Sequence, residues 1–175
     1  MPSLSLPQIL EADDIEPLLK NEKLLVIDMS RVEIHHQYHI PGAVHLEYAK
    51  IIRVEKPVVG LLPDDVSLSE TFSSLGINPD THVVAYDEEG GGKASRLLWT
   101  LDVIGHEKHS LLNGGLHAWA NEGHALEQQA RLPVASDYKV PLDKNVLADK
   151  NYILKHLESA HVVFLDSRTS EEFTG

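Results

Sequence analysis

His82-Val83-Val84-Ala85-Tyr86-Asp87-Glu88-Glu89-Gly90-Gly91-Gly92-Lys93-Ala94-Ser95-Arg96 changes character twice. His82 to Tyr86 is a short, valine-bearing run and reads as a strand of the sheet. Asp87 to Gly92 is acidic and then glycine-rich, the chemistry of a tight turn. From Ala94 the apolar positions follow helical spacing, with Leu97, Leu98, Leu101 and Ile104 on one side and Gly105 as the stop. A strand that turns through glycine into a helix belongs to an α/β fold. In such folds ligands bind beyond the carboxyl ends of the strands. The free amides and dipole of the helix start favour an anion there.

The same alternation extends in both directions. Leu6 to Lys20 reads as an amphipathic helix carrying Ile9, Ile15 and Leu18-Leu19, with Pro17 working against its continuity. Leu24 to Ile27 is a buried strand, Arg31 to His39 a short helix closed by Ile40-Pro41-Gly42, and Ala43 to Leu46 another strand. Ile51 to Asp65 has turn chemistry and no clear period. Ser67 to Leu75 reads as a helix with Ser67 as N-cap, Glu70 as capping-box partner and Gly76 as the stop. Ser110 to Leu112 is a further strand, followed by Asn113-Gly114-Gly115 and a short helix through Leu116, Trp119 and Ala120 that ends near Gly123. Strands and helices alternate, so the expected fold is α/β, a central, mainly parallel sheet with helices on both faces.

The chain also begins twice. Asp166 minus Asp28 is 138, and at that offset Ile153 falls on Ile15, Leu157 on Leu19, and Val162 to Leu165 on Leu24 to Ile27. Tyr152 to Leu157 is read as a helix and Val162 to Leu165 as a strand. Glu127 to Asp143, with Pro133 and Pro141 and weak periodicity, reads as a connection. The organisation expected is one domain over residues 1–126, a linker over 127–145, and the truncated start of a second domain over 146–175. That last stretch is too short to build its own core. Ile153, Leu157, Val162 to Leu165 and Phe173 are therefore expected to be disordered, to dock on the first domain, or to pair between chains.

Composition narrows the function. With 42% hydrophobic and 24% charged residues the chain is ordinary for a globular protein. No apolar run approaches the roughly 20 residues that span a bilayer, and the start has no basic or apolar signal region. Neither a nucleic-acid nor a membrane partner fits the net charge of −12, which is also a poor field for a small anion. The absence of cysteine excludes disulfides, thiolate metal sites and thiol catalysis within these residues, and fits a cytoplasmic protein.

The glycine turn is the strongest candidate site, yet it is no P-loop. That motif needs glycine five positions before Gly-Lys and Ser or Thr after it, where this chain has Asp87 and Ala94. Asp87, Glu88 and Glu89 are expected to form a solvated acidic loop. Arg96 is placed either to hold an anion at the helix start or to pair with Glu88 or Glu89. His35 and His39 share a face at helical spacing, but no carboxylate or third histidine is evident to complete a metal site. Trp99 and Trp119 sit among apolar helical positions and read as core. No cofactor is expected.

Leu25-Val26-Ile27-Asp28, Tyr38-His39-Ile40-Pro41-Gly42-Ala43, Val83-Val84-Ala85-Tyr86-Asp87 and Leu112-Asn113-Gly114-Gly115-Leu116-His117-Ala118-Trp119 occur in this order. Together they resemble the first domain of the tandem-domain rhodaneses, the thiosulfate sulfurtransferase family. Asp166-Ser167-Arg168-Thr169-Ser170-Glu171-Glu172-Phe173 resembles the opening of that family's second domain. The resemblance implies a persulfide-forming cysteine after the strand that ends in Val-Val-x-Tyr, where this chain carries Asp87. The loop equivalent to the active-site loop would be Asp87, Glu88, Glu89, Gly90, Gly91, Gly92 and Lys93. In two-domain members the first domain commonly lacks the cysteine and the second carries it. Three departures stand out: Tyr38 replaces a usual glycine, Ser30 lies where the second copy has Arg168, and Lys93 replaces the large aromatic of some relatives.

The resemblance therefore implies a non-catalytic N-terminal domain of a thiosulfate:cyanide sulfurtransferase. Its partner would be its own C-terminal rhodanese domain, and a small anionic sulfur donor would bind only the full-length protein. No residue here supplies the thiolate that persulfide transfer requires. The carboxylate of Asp87 is expected to fill the amide cradle itself. A silent rhodanese module that binds a protein partner is the alternative, whereas a phosphatase of the same architecture would also need the loop cysteine.

Overall fold

The computed structural model describes residues 4–140 and 146–175. Pro141 and the end of the expected linker lie outside them. The chain divides into two compact units, Met1–Asp143 and Lys144–Gly175. In the first unit the strands are β1 (Ile9–Leu10), β2 (Leu24–Asp28), β3 (Val44–His45), β4 (Arg53–Glu55), β5 (Val58–Leu61), β6 (His82–Tyr86) and β7 (His109–Leu112). Its helices are α1 (Ala12–Ile15), α2 (Val32–Gln37), α3 (Asp65–Ser74), α4 (Gly92–Val103) and α5 (Gly115–Asn121).

Five strands form one sheet in the order β1-β7-β6-β2-β3, and every pairing in it is parallel. The two central strands are buried along their whole length, which suits the continuous apolar run of Leu24 to Ile27. Side chains alternate between faces. Leu25 and Ile27 pack with Leu68 and Phe72 of α3 and with Leu97 and Leu101 of α4. Leu24 and Val26 join Ile15 of α1 and Leu116 and Trp119 of α5 in a second cluster. Helices on both faces follow from that alternation. From β2 the chain moves to β3 on one side, whereas β6 leads to β7 on the other. The switch point between β2 and β6, where ligands of such sheets sit, thus lies beside Asp28 and Asp87.

Several expectations need correction. Leu6 to Lys20 is not one helix. Ile9 and Leu10 pair with Leu111 and Leu112 as an edge strand, α1 has only four residues, and a 3-10 turn at Glu16–Leu18 takes Pro17 near its start. Partner strands outweighed helical spacing there, and proline stopped propagation. Ile51 to Asp65 holds a two-stranded antiparallel hairpin, β4 with β5, whose exposed Val54, Val58 and Val59 hide any buried period. Helix α3 is capped by Asp64, which accepts from the Ser67 amide at 2.8 Å, so Ser67 is the third helical residue rather than the cap.

The stretch read as a linker packs on the first unit through Val140. Tyr138 and Val140 are buried in the cluster that holds α3. The amides of Ser136, Tyr138 and Val140 donate to the Ser73 carbonyl, the Ser73 hydroxyl and the Ser69 hydroxyl. Polar serines on one helix face thus replace a missing strand neighbour, a pairing that no local period announces.

In the second unit, α6 (Lys150–His156) is capped by Asp149 and α7 (Ser170–Thr174) by Thr169. Val162 to Leu165, read as a strand, is irregular, with Val163 81% and Leu165 91% exposed. An apolar run forms a buried strand only where neighbours supply backbone partners and cover.

One buried group links this core to pH. His82 is 2% exposed, and its Nε2 lies 2.7 Å from the Ser110 hydroxyl. Burial, reinforced by His109, lowers its pKa from the ordinary 6.5 to about 4. Below pH 6.5 the unfolded chain takes a proton that the native imidazole refuses until about pH 4. Stability is therefore expected to fall across that window by about 3 kcal/mol. Burial shifts His106 in the same direction. Urea unfolding of His82→Gln at pH 7 and pH 4.5 should show a shallower pH dependence than wild type, and parallel profiles would refute the assignment.

Candidate active-site loop

Asp87 directly follows β6 at the switch point and is 1% exposed. Its Oδ1 accepts the amides of Glu89 at 2.9 Å and Gly91 at 2.8 Å, and its Oδ2 accepts the amide of Ala94 at 3.0 Å. The chain curls around the carboxylate because Gly90 and Gly91 take φ of 96° and 93°, which other residues rarely adopt. Ala94 lies in the first turn of α4, where the dipole also favours negative charge. The carboxylate thus sits in a cradle of three backbone amides.

The loop is not the solvated acidic patch that its sequence suggests. Glu88 is 9% exposed, and its Oε1 accepts both the amide and the Nε of Arg31 at 3.0 Å. Burial alone would raise the Glu88 carboxyl, but its bonds to Arg31 and the nearby Lys93 outweigh that and hold it below the usual range. Lys93 Nζ lies 3.2 Å from the exposed Glu89 and 3.8 Å from Glu88. Two cations therefore sit among the three carboxylates and answer much of their mutual repulsion locally.

Arg96 pairs with neither Glu88 nor Glu89. It donates to the Gly60 carbonyl at 2.9 Å and lies over the Trp99 ring, 4.6 Å from its centroid. Trp119 is core, but Trp99 is only partly buried. Gly92 and Lys93 open α4 beside the cradle.

The backbone behind the loop is held by the Asn113-Gly114-Gly115 turn. The Leu116 amide donates to the Asp87 carbonyl at 3.1 Å, and a β-carbon on Gly115 would stand 2.4 Å from that oxygen. On the β2 side, His35 and His39 stack with centroids 4.0 Å apart. A carboxylate is present after all, since His35 Nδ1 lies 2.8 Å from Asp28 Oδ2. Among the described residues no group of three or more His, Asp or Glu is arranged to hold a metal ion. No helix among them is long and apolar enough to cross a membrane. Arg31 escaped the sequence reading as a partner of the loop, because it meets Glu88 from 57 positions along the chain. The strand-end position of Asp28 was the available signal for its pairing with His35.

The fold and this loop define an α/β domain with an amide-lined anion cradle at the sheet's switch point, its occupant an internal carboxylate. Residues 11–122 match the Rhodanese-like domain, and the chain belongs to that family. It is 35% identical over 170 residues to a thiosulfate sulfurtransferase of Pseudomonas aeruginosa, covering 97% of this chain and 63% of that protein. A thiosulfate sulfurtransferase of Azotobacter vinelandii is 33% identical over 171 residues, with 98% of this chain and 63% of that protein covered. The chain thus spans less than two thirds of the length of these relatives. The crystal structure of SseA from Escherichia coli, described for the rhodanese fold of 3-mercaptopyruvate sulfotransferases, shares the fold with a TM-score of 0.87. Its identity is 23%, over 96% of this chain and 68% of that one.

Proposed function

We propose that this chain is the non-catalytic N-terminal domain of a tandem-domain thiosulfate:cyanide sulfurtransferase, followed by the opening of its second domain. The observation that carries the reading is the Asp87 carboxylate, seated on three amides where the family's nucleophilic cysteine would stand. The names of the two bacterial relatives support the substrate class. In this reading a thiolate of the second domain attacks the sulfane sulfur of thiosulfate, becomes a persulfide and releases sulfite. Cyanide then takes the sulfur as thiocyanate and frees the thiolate. This domain supports the catalytic one, closes one side of its cleft, and works in the cytoplasm.

An assay of thiocyanate formation tests the proposal. The 175-residue chain is expected to show no turnover, and Asp87→Cys none either, because in this reading the cleft is completed only by the second domain, of which these residues hold no more than the opening. The reading frame beyond the Gly175 codon is expected to encode a strand, a cysteine and a loop, and the product of the whole frame to be active. Turnover by the chain alone, or a stop codon directly after Gly175, would overturn it.

A further inference from the structure

The repeat at offset 138 holds in local geometry as well as in sequence. Glu11 and Asp149 stand at the N-cap positions of α1 and α6, Arg31 and Thr169 at those of α2 and α7, and each pair is 138 positions apart. In both copies the aspartate after the apolar run accepts the amide two residues on. Asp28 Oδ1 meets the Ser30 amide at 2.8 Å, and Asp166 Oδ1 meets the Arg168 amide at 3.0 Å.

The side-chain partner of that aspartate differs between copies. Asp28 Oδ2 lies 2.8 Å from His35 Nδ1. Asp166 is held by the Arg168 guanidinium, with Nη2 at 2.6 Å and Nε at 3.0 Å. The corresponding positions are exchanged. Ser30 matches Arg168, and His35 matches Phe173, over whose ring the Arg168 guanidinium lies at 5.7 Å. At these two positions the second copy has an arginine and no histidine, and the first has a histidine and no arginine.

A carboxylate buried as deeply as Asp28, 0% exposed, needs strong donors. Burial alone would raise its carboxyl, but hydrogen bonds led by that of His35 outweigh this and hold it below the usual range. We infer that His35 is a positioning residue that stands in, within the first unit, for the arginine of the second copy. It holds Asp28, Asp28 holds the turn at Ser30, and Arg31 at the end of that turn grips Glu88 beside the Asp87 loop. The inference rests on the repeat and does not depend on the activity proposed above.

The test is rescue. His35→Phe in the intact chain is expected to raise the unfolding constant about a hundredfold, as breaking a buried pair does. It should also shift the NMR amide signals of Glu89, Gly91 and Ala94, because the grip on Glu88 loosens. Ser30→Arg combined with His35→Phe restores the second copy's pairing. It is expected to recover at least about tenfold of the loss and to return the three amide signals. A folded double variant no more stable than His35→Phe overturns the inference. Should that variant fail to fold, Asp28→Asn with His35→Phe decides. Losses that overlap support the pairing, and losses that add overturn it.

Discussion

Asp87→Ala is expected to lower the unfolding free energy by about 3 kcal/mol, in an otherwise featureless acidic stretch of sequence. The substitution removes one carboxylate and strands three donors, the amides of Glu89, Gly91 and Ala94. A buried donor left without an acceptor costs about 1–3 kcal/mol. The Ala94 amide is the most enclosed and takes the fuller cost, while water reaches the two part-buried amides more easily. Asp87→Asn is expected to fall between, because it keeps one acceptor oxygen but turns an amide group toward a donor. Urea unfolding measures both. The emptied cradle should also take a small oxyanion. Thiosulfate is expected to stabilise Asp87→Ala more than it stabilises wild type at matched ionic strength. Equal stability of Asp87→Ala and wild type would show that the carboxylate does not organise the loop.

Gly115→Ala is expected to cost about as much for a different reason. The new methyl group would lie 2.4 Å from the Asp87 carbonyl oxygen, a backbone atom that cannot swing aside. Gly115 also has φ of 55°, which adds roughly 1 kcal/mol or more of backbone strain to any other residue. Relief would push β6 and α5 apart and lose the bond from the Leu116 amide. A total of about 3 kcal/mol corresponds to a fall in Tm of about 10 °C for a chain of this size. Gly123→Ala is the control, since it too has positive φ but meets nothing within 4 Å. It should lose about 1 kcal/mol. If the two glycines prove equivalent, the close approach to Asp87 contributes nothing.

Both effects concern one object, a carboxylate wrapped by its own loop and braced from behind by a neighbouring turn. The glycines supply the curvature, Asp87 the charge, and Gly115 the room. Arg31 and Lys93 answer the charges of Glu88 and Glu89, so the loop can be both acidic and ordered.

The sequence by itself determined the two central strands, the α4 helix and the glycine turn. Each is written in neighbouring residues, as an apolar run, a helical period or a left-handed glycine. It also placed Asp87 at the strand end and excluded a thiolate, since both are matters of residue identity. Only the tertiary structure decided what long-range partners impose. Ile9 and Leu10 left a helical pattern for a strand because Leu111 and Leu112 offered an edge. Tyr138 and Val140 were drawn from an apparent linker onto α3 by serine donors and acceptors. Glu88 passed from solvent to burial because Arg31, 57 residues away, reaches it. Val162 to Leu165 carries the same local message as Leu24 to Ile27, yet only the latter is a strand. The difference is cover: a backbone without neighbours has nothing to bond but water, and an apolar run cannot supply those neighbours from within itself.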